Sequence, residues 1–207
     1  NLNIYSVAAS ALGTGKGIMV GENGAIVLTN DGGANWVIQN TGVSEINTLC
    51  FTDANTGFIG TNMSFLKTTN GGETTLPAIP GFNPIMKIQF PVNATTGYAV
   101  TMNGIVHKTT NGGNTWLPVD TLPSNDVLTT AFCNNTEGII ITYEYPDYKL
   151  YKTTNGNDFN VFNSSVQNFA DIEYMKSSTT DLIAISAFGI SYSNDGGANF
   201  YSSSPRP

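Results

Sequence analysis

The side chains able to do chemistry in this sequence are mainly carboxylates and tyrosines. Asp171 and Glu173 stand two apart in Phe169-Ala-Asp-Ile-Glu-Tyr174, a stretch that reads as a strand, so both carboxylates fall on one face. They are the candidate catalytic pair for glycoside hydrolysis, which needs two carboxyl groups roughly 5 to 10 Å apart. Glu45 and Asp126 precede comparable stretches. A second concentration lies in Thr142-Tyr-Glu-Tyr-Pro-Asp-Tyr-Lys149, where Tyr143, Tyr145 and Tyr148 offer flat apolar rings beside the acceptors Glu144 and Asp147. These five are the candidate binding residues, suited to a sugar face or a peptide partner.

The other reactive types narrow the field. His107 is the lone histidine, and no Cys, His or acid spacing around it makes a metal site, so neither metal nor cofactor is expected. Cys50 and Cys133 read as free, small apolar residues with no disulfide between them. The net charge is −7, and the eight Lys and Arg are scattered singly, which leaves no positive stripe for nucleic acid. No apolar run is long enough to insert into a membrane. The chain begins at Asn1 without a Met or a charged-then-apolar leader and reads as a mature or trimmed product. Residues 202–207 have linker composition, so the chain is expected to be part of a larger multidomain protein or complex.

The elements that position these groups emerge from a repeated turn. Thr29-Asn-Asp-Gly-Gly-Ala-Asn-Trp36, Thr69-Asn-Gly-Gly-Glu-Thr-Thr75, Thr110-Asn-Gly-Gly-Asn-Thr-Trp116, Thr154-Asn-Gly-Asn-Asp-Phe159 and Asn194-Asp-Gly-Gly-Ala-Asn-Phe200 align on Asp31, Asn70, Asn111, Asn155 and Asp195, at spacings of 39, 41, 44 and 40. Each period carries a first strand, a polar turn, a short apolar strand, a hairpin, a third strand and then the repeated turn, which opens a fourth strand. Four antiparallel strands in about 40 residues make a propeller blade. The expectation is an all-β, five-bladed β-propeller over residues 1–201. Its blades run approximately 1–42, 43–81, 82–123, 124–165 and 166–201, closed into a ring, or else form five blades of a larger one. The spacing of 44 places extra residues in the hairpin of the fourth blade, at Thr142–Lys149, on the end opposite the repeated turns. The links Pro77–Pro84 and Leu117–Pro123 are Pro-rich and read as a rigid rim on that end.

These turns resemble the Asp-box, or bacterial neuraminidase repeat, S/T-x-D-x-G-x-T-W. The form Lys108-Thr-Thr-Asn-Gly-Gly-Asn-Thr-Trp116 looks most like propellers related to the photosystem II assembly and stability factor. The resemblance covers all five periods and implies the propeller fold. Asn stands in three boxes where Asp stands in two, and an amide accepts backbone N–H bonds but is no general base, so the shared role is turn stabilisation. Asp31, Trp36, Asn70, Asn111, Trp116, Asn155, Asp195 and Phe200 are therefore structural. The boxes ending at Thr75 and shortened at Gly156 are expected to be looser. Sialidases of this family hold the substrate carboxylate with three arginines, whereas this chain has only Arg206. The basic patch of the photosystem factors likewise has no counterpart.

The leading reading is a noncatalytic binding or scaffold propeller with a protein or glycan partner. The alternative is a carbohydrate-active protein, either a hydrolase using Asp171 and Glu173 or a glycan-binding module. The acidic, Lys-poor composition and the resemblance together imply export, to the extracellular space, the cell surface or the periplasm.

Overall fold

The computed structural model describes residues 4–9, 15–40, 42–43, 45–76, 79–176 and 178–202. The expected linker at 203–207 with Arg206, and residues 77–78 of the Pro-rich link, lie outside them.

The described residues form twenty strands in five four-stranded antiparallel sheets, each ordered as the chain runs. Blade 1 comprises β1 (Ile4–Ala9), β2 (Gly17–Gly21), β3 (Ala25–Thr29) and β4 (Val37–Asn40). Blade 2 comprises β5 (Ile46–Phe51), β6 (Gly57–Thr61), β7 (Ser64–Thr68) and β8 (Ile79–Pro80). Blade 3 holds β9 (Ile85–Gln89), β10 (Gly97–Thr101), β11 (Ile105–Thr109) and β12 (Leu117–Thr121). Blade 4 holds β13 (Val127–Phe132), β14 (Gly138–Glu144), β15 (Asp147–Thr153) and β16 (Asn160–Val166). Blade 5 holds β17 (Asp171–Tyr174), β18 (Leu182–Ser186), β19 (Gly189–Ser193) and β20 (Tyr201–Ser202). Strands β6 and β10 are buried along their whole length because a neighbouring blade covers each face, which is why they read as short continuous runs rather than alternations.

Four apolar clusters hold the blades together, one per successive pair. Ile18, Val20, Ile26 and Leu28 of blade 1 meet Ile46, Leu49, Ile59 and Leu66 of blade 2. Phe58 and Phe65 meet Ile85, Ile88, Ala99 and Trp116 between blades 2 and 3. Tyr98 stacks on Phe132 at 3.9 Å between blades 3 and 4. Leu150, Ile139 and Ile141 meet Phe169, Ile172 and Leu182 between blades 4 and 5. The first strands lie side by side in the order β1, β5, β9, β13, β17. Among the described residues β17 and β1 do not pack in this way, so the expected closure into a five-blade ring is not seen and the blades form an open arc.

The repeated turns are cages built on one side-chain pattern. In blade 1, Thr29 Oγ1 donates to Asp31 Oδ1 (2.8 Å) and accepts from the Gly33 amide (2.9 Å), while the Asn35 amide donates to Asp31 Oδ1 (2.9 Å). Blade 3 repeats this with Thr109, Asn111, Gly113 and Thr115, and blade 5 with Ser193, Asp195, Gly197 and Asn199. Asp and Asn do the same work. The expected looseness of two turns is not found. Blade 2 keeps the full cage, with the Thr74 amide on Asn70 Oδ1 at 3.0 Å, because the cage does not use the terminal aromatic that Thr75 replaces. Blade 4, one residue shorter, binds the Asn157 and Asp158 amides instead, each at 2.9 Å. The turn is also stapled to the first-to-second-strand turn of its own blade, as by the Gly112 amide on the Thr95 carbonyl (2.9 Å). This fixes the repeated turns at one end of the arc and the second-to-third-strand hairpins at the other.

Candidate functional site

Asp171 lines a cavity of about 330 Å³ formed at the first strands of blades 2 to 5, and Glu173 lies two residues along the same strand. Lys87, on β9 two blades away, donates from Nζ to Asp171 Oδ1 (2.9 Å) and Glu173 Oε1 (2.7 Å). Thr129 on β13 adds a bond to Asp171 Oδ1 at 2.8 Å. Burial pushes the Asp171 carboxyl up, but the Lys87 charge and these hydrogen bonds outweigh it and hold Asp171 below the usual carboxylate value. Burial likewise opposes the charge on Lys87, and the two acids overcome it and raise its pKa. The two carboxylates are joined through one cation, Lys87, which binds both. A general acid at neutral pH needs a raised pKa, and Asp171 is shifted the other way. Lys87 was invisible to sequence reasoning because it lies 84 residues from Asp171 and joins it only through the curvature of the arc.

The extra residues of blade 4 lengthen β14 and β15 rather than forming a loose loop. Tyr143 pairs with Tyr148 and Glu144 with Asp147, leaving a tight turn at Tyr145–Pro146 whose peptide bond is cis. The Tyr143 and Tyr148 rings lie 4.9 Å apart on one face. Tyr145 stands out at the tip, 87% exposed, and Asp147 is exposed beside it. Glu144 is already engaged: it accepts from Lys149, from the Tyr151 hydroxyl (2.6 Å) and from Thr142 (3.1 Å). Burial disfavours its charge, but these bonds hold its pKa below the usual value. In the same exchange Tyr151 is buried beside an anion, and its phenol is pushed well up. Of the five binding candidates, four present a ring or an acceptor outward and Glu144 braces the hairpin from behind.

The hairpin is one of a row. At the same end of the arc, Met63 in blade 2, Met102 in blade 3, Tyr145 in blade 4 and Phe188 in blade 5 occupy the tips of the second-to-third-strand turns, and all are exposed, Phe188 to 95%. Between blades 2 and 3 the row borders a cleft of about 440 Å³ formed by Glu45, Asn47, Asn62, Pro84, Met86 and Met102. Asn62 bridges Glu45 (2.6 Å) and Asn47 (2.9 Å) at its wall. Sequence reasoning singled out only the blade 4 hairpin because its length is anomalous. The signal that was available is an apolar residue at the hairpin tip of four successive periods, where turn chemistry asks for none.

A second missed feature is the lysine of Lys-Thr-Thr-Asn-Gly. Lys67 Nζ reaches the Asn114 side chain (3.1 Å) in the turn of blade 3, and Lys108 Nζ reaches Gly156 O and Asn157 Oδ1 (both 3.2 Å) in the turn of blade 4. Each also lies over an aromatic ring of its own blade, Phe58 and Tyr98 respectively. The motif therefore spans two blades. His107 packs edge-on against Phe82 at 4.8 Å, and burial lowers its pKa. Cys50 and Cys133 are free thiols, and no group of metal-ligating side chains occurs among the described residues.

Neither a family model nor a curated protein matches this sequence. Solved structures do resemble it. A YCF48 bound to D1 peptide superposes at a TM-score of 0.72 with 18% identity, over 97% of this chain and 68% of that one. The GH74 enzyme of Niastella koreensis gives 0.75 and 18%, over 93% and 36%. The GH74 xyloglucanase of Xanthomonas campestris gives 0.73 and 11%, over 93% and 36%. At these identities the likeness shows the fold, and with the five sheets it defines the chain as a β-propeller protein. The chain spans about two thirds of that YCF48 and about a third of the GH74 enzymes.

Proposed function

We propose that the chain is a noncatalytic, exported binding or scaffold propeller that takes a protein segment across its hairpin end. The observation that carries this reading is the row of exposed apolar tips, Met63, Met102, Tyr145 and Phe188, beside the Glu45–Met102 cleft. Exposed aromatics and methionines gathered on one rim are the composition of an interaction surface rather than of a solvated loop. Tyr145 supplies the protruding anchor, the Tyr143 and Tyr148 rings a flat wall, and Asp147 an acceptor. The likeness to a YCF48 carrying a bound peptide supports a peptide partner. The Thr/Ser–Asp/Asn cages support kinship with Asp-box repeats. The acidic, Lys-poor composition supports export.

The test is an array of overlapping peptides and of glycans, probed with the protein and with a Tyr143→Ala/Tyr145→Ala/Tyr148→Ala variant. Peptide binding is expected, with affinity falling at least about tenfold in the variant. Unchanged binding in the variant sinks the assignment.

A carbohydrate-active role is the second reading, favoured by Asp171 and Glu173 standing two apart on β17 within reach of one lysine and by the likeness to GH74 enzymes. The Lys87 bridge and the lowered pKa of Asp171 suit retention of a polar ligand better than hydrolysis. Release of reducing sugar from xyloglucan that disappears in Asp171→Asn reverses that preference.

A further inference from the structure

The charged side chains are sorted between the two ends of the arc. Lys16, Lys67, Lys108, Lys152 and Lys176 lie at the end of the repeated turns, near the close of third strands or in the first-to-second-strand turns. The hairpin end holds Glu22, Glu45, Asp126, Glu144 and Asp147, and among the described residues its lysine is Lys149, which Glu144 binds.

These carboxylates alternate with the apolar tips. Glu45 accepts from Asn62, the neighbour of Met63. Asp126 is held between two hairpins: the Val127 amide donates to the Met102 carbonyl (3.0 Å), and the Tyr143 amide donates to the Asp126 carbonyl (2.9 Å). Asp147 follows Tyr145 and Pro146, and both Asp126 and Asp147 are exposed. A backbone bridge between Glu22 and Glu45 brings two acidic residues together where blades 1 and 2 meet. The acidic character continues inward. Asn47 and Met86 line both the cleft of about 440 Å³ and the cavity of about 330 Å³ that Asp171 borders. There two carboxylates, Asp171 and Glu173, share the single ammonium of Lys87, and each stays about half exposed.

We infer, on the basis of the peptide reading of this end, that its partner is a basic segment, whose lysine or arginine side chains seat among the apolar tips with their heads on Glu45, Asp126 and Asp147. Long basic side chains suit such a rim, because the stem covers an apolar surface or ring while the head reaches an acceptor. The protein makes that pairing internally: Lys67 lies over Phe58 and reaches Asn114, and Lys108 lies over Tyr98 and reaches Asn157. Opposite charge speeds encounter and rejects acidic partners. The same field repels nucleic acid, an anionic membrane and the hairpin end of a second copy.

The experiment measures binding of fluorescent peptides of about 12 residues, which reach roughly 40 Å when extended. Three libraries share randomised apolar positions and carry Lys, Gln or Glu at the others. The Lys library is expected to bind at least about tenfold more tightly than the Gln library, with Glu weakest, and to weaken about tenfold between roughly 0.05 and 0.3 M NaCl. Glu45→Gln/Asp126→Asn/Asp147→Asn is expected to weaken Lys-library binding about tenfold. Glu73→Gln/Asp158→Asn/Asp181→Asn, an equal change of charge at the repeated turns, is expected to leave it within about twofold. Asp126→Asn/Asp147→Asn, both at exposed positions, repeats the measurement should the first variant disturb folding. Equal binding of the three libraries, or equal loss in the two charge variants, overturns the basic partner while the peptide reading stands. Binding of none of them overturns both. Dimers in sedimentation that Tyr143→Ala/Tyr145→Ala/Tyr148→Ala dissolves also overturn the basic partner and assign the end to a second copy.

Discussion

Trp36 and Trp116 end the same turn in blades 1 and 3, and the bonds that close the two turns match almost atom for atom. Their surroundings do not match. Trp116 is 9% exposed, stacked 4.9 Å from Phe65 and edge-on to Phe58 and Phe90. Trp36 is 43% exposed and lies on its own Gly17 and Gly33. The turn is thus a local structure that each repeat makes unaided, whereas the tryptophan is an interface residue whose worth depends on the blade before it.

The comparison breaks most readily at the rings. Trp116→Ala should cost about 3 to 5 kcal/mol in urea unfolding, the usual loss for a buried large aromatic. Trp36→Ala should cost no more than about 1.5 kcal/mol, since much of its surface stays in water. Equal losses would show that blade 1 has a hidden partner within the chain.

The glycines sharpen it next. Gly113→Ala drives a methyl into the Phe58 ring at φ +73°, and overpacking together with left-handed strain should cost about 2 to 4 kcal/mol. Gly33→Ala, at φ +93° with only Trp36 at 3.6 Å, should cost the backbone strain alone, about 1 to 2 kcal/mol. Thermal melts of the two variants read the difference.

The lysine grip is a smaller effect. Lys108→Met removes two bonds to the blade 4 turn and should lower stability by about 1 kcal/mol. Tyr192→Met, at the equivalent and exposed place in blade 5, should change it by less than about 0.5 kcal/mol.

The mildest test is acid. Backbone bonds from Asn35 and Asn199 are the chief cause holding Asp31 and Asp195 at about 2, below the ordinary 3.8. A depressed carboxylate stabilises the fold fully above its unfolded value and loses that contribution as pH falls through its folded value. Stability of blades 1 and 5 should therefore drain between about pH 4 and pH 2, whereas the Asn70, Asn111 and Asn155 turns do not titrate. Urea midpoints across that range should slope less in Asp31→Asn/Asp195→Asn than in the parent.

Much of the architecture was legible in the sequence because a propeller repeats its local signals. Thr-x-Asn-Gly-Gly needs only itself to form, so its spacing marks the blades, and the interchange of Asp31 with Asn70 already spoke against catalysis at that position. The excess length at Tyr143–Tyr148 likewise pointed to a hairpin at the opposite end. Side-chain contacts between strands, within a blade or across blades, were not legible in this way. Glu144 looked like a free acceptor until Lys149 and Tyr151 were placed beside it. Asp171 and Glu173 looked like a catalytic pair until Lys87 arrived across the cavity. Phe188 drew no notice alone, and its meaning comes from Met63, Met102 and Tyr145 on the same rim.

By itself the sequence determined the unit: four strands, a caged turn and a step of about 40 residues, all short-range properties of backbone conformation and side-chain hydrogen bonding. Only the tertiary structure decided how those units add up. The stacking of the blades sets β1, β5, β9, β13 and β17 side by side, with β17 and β1 not packed in that way among the described residues. It also brings Lys87 to Asp171 and leaves Ile183 and Trp36 exposed.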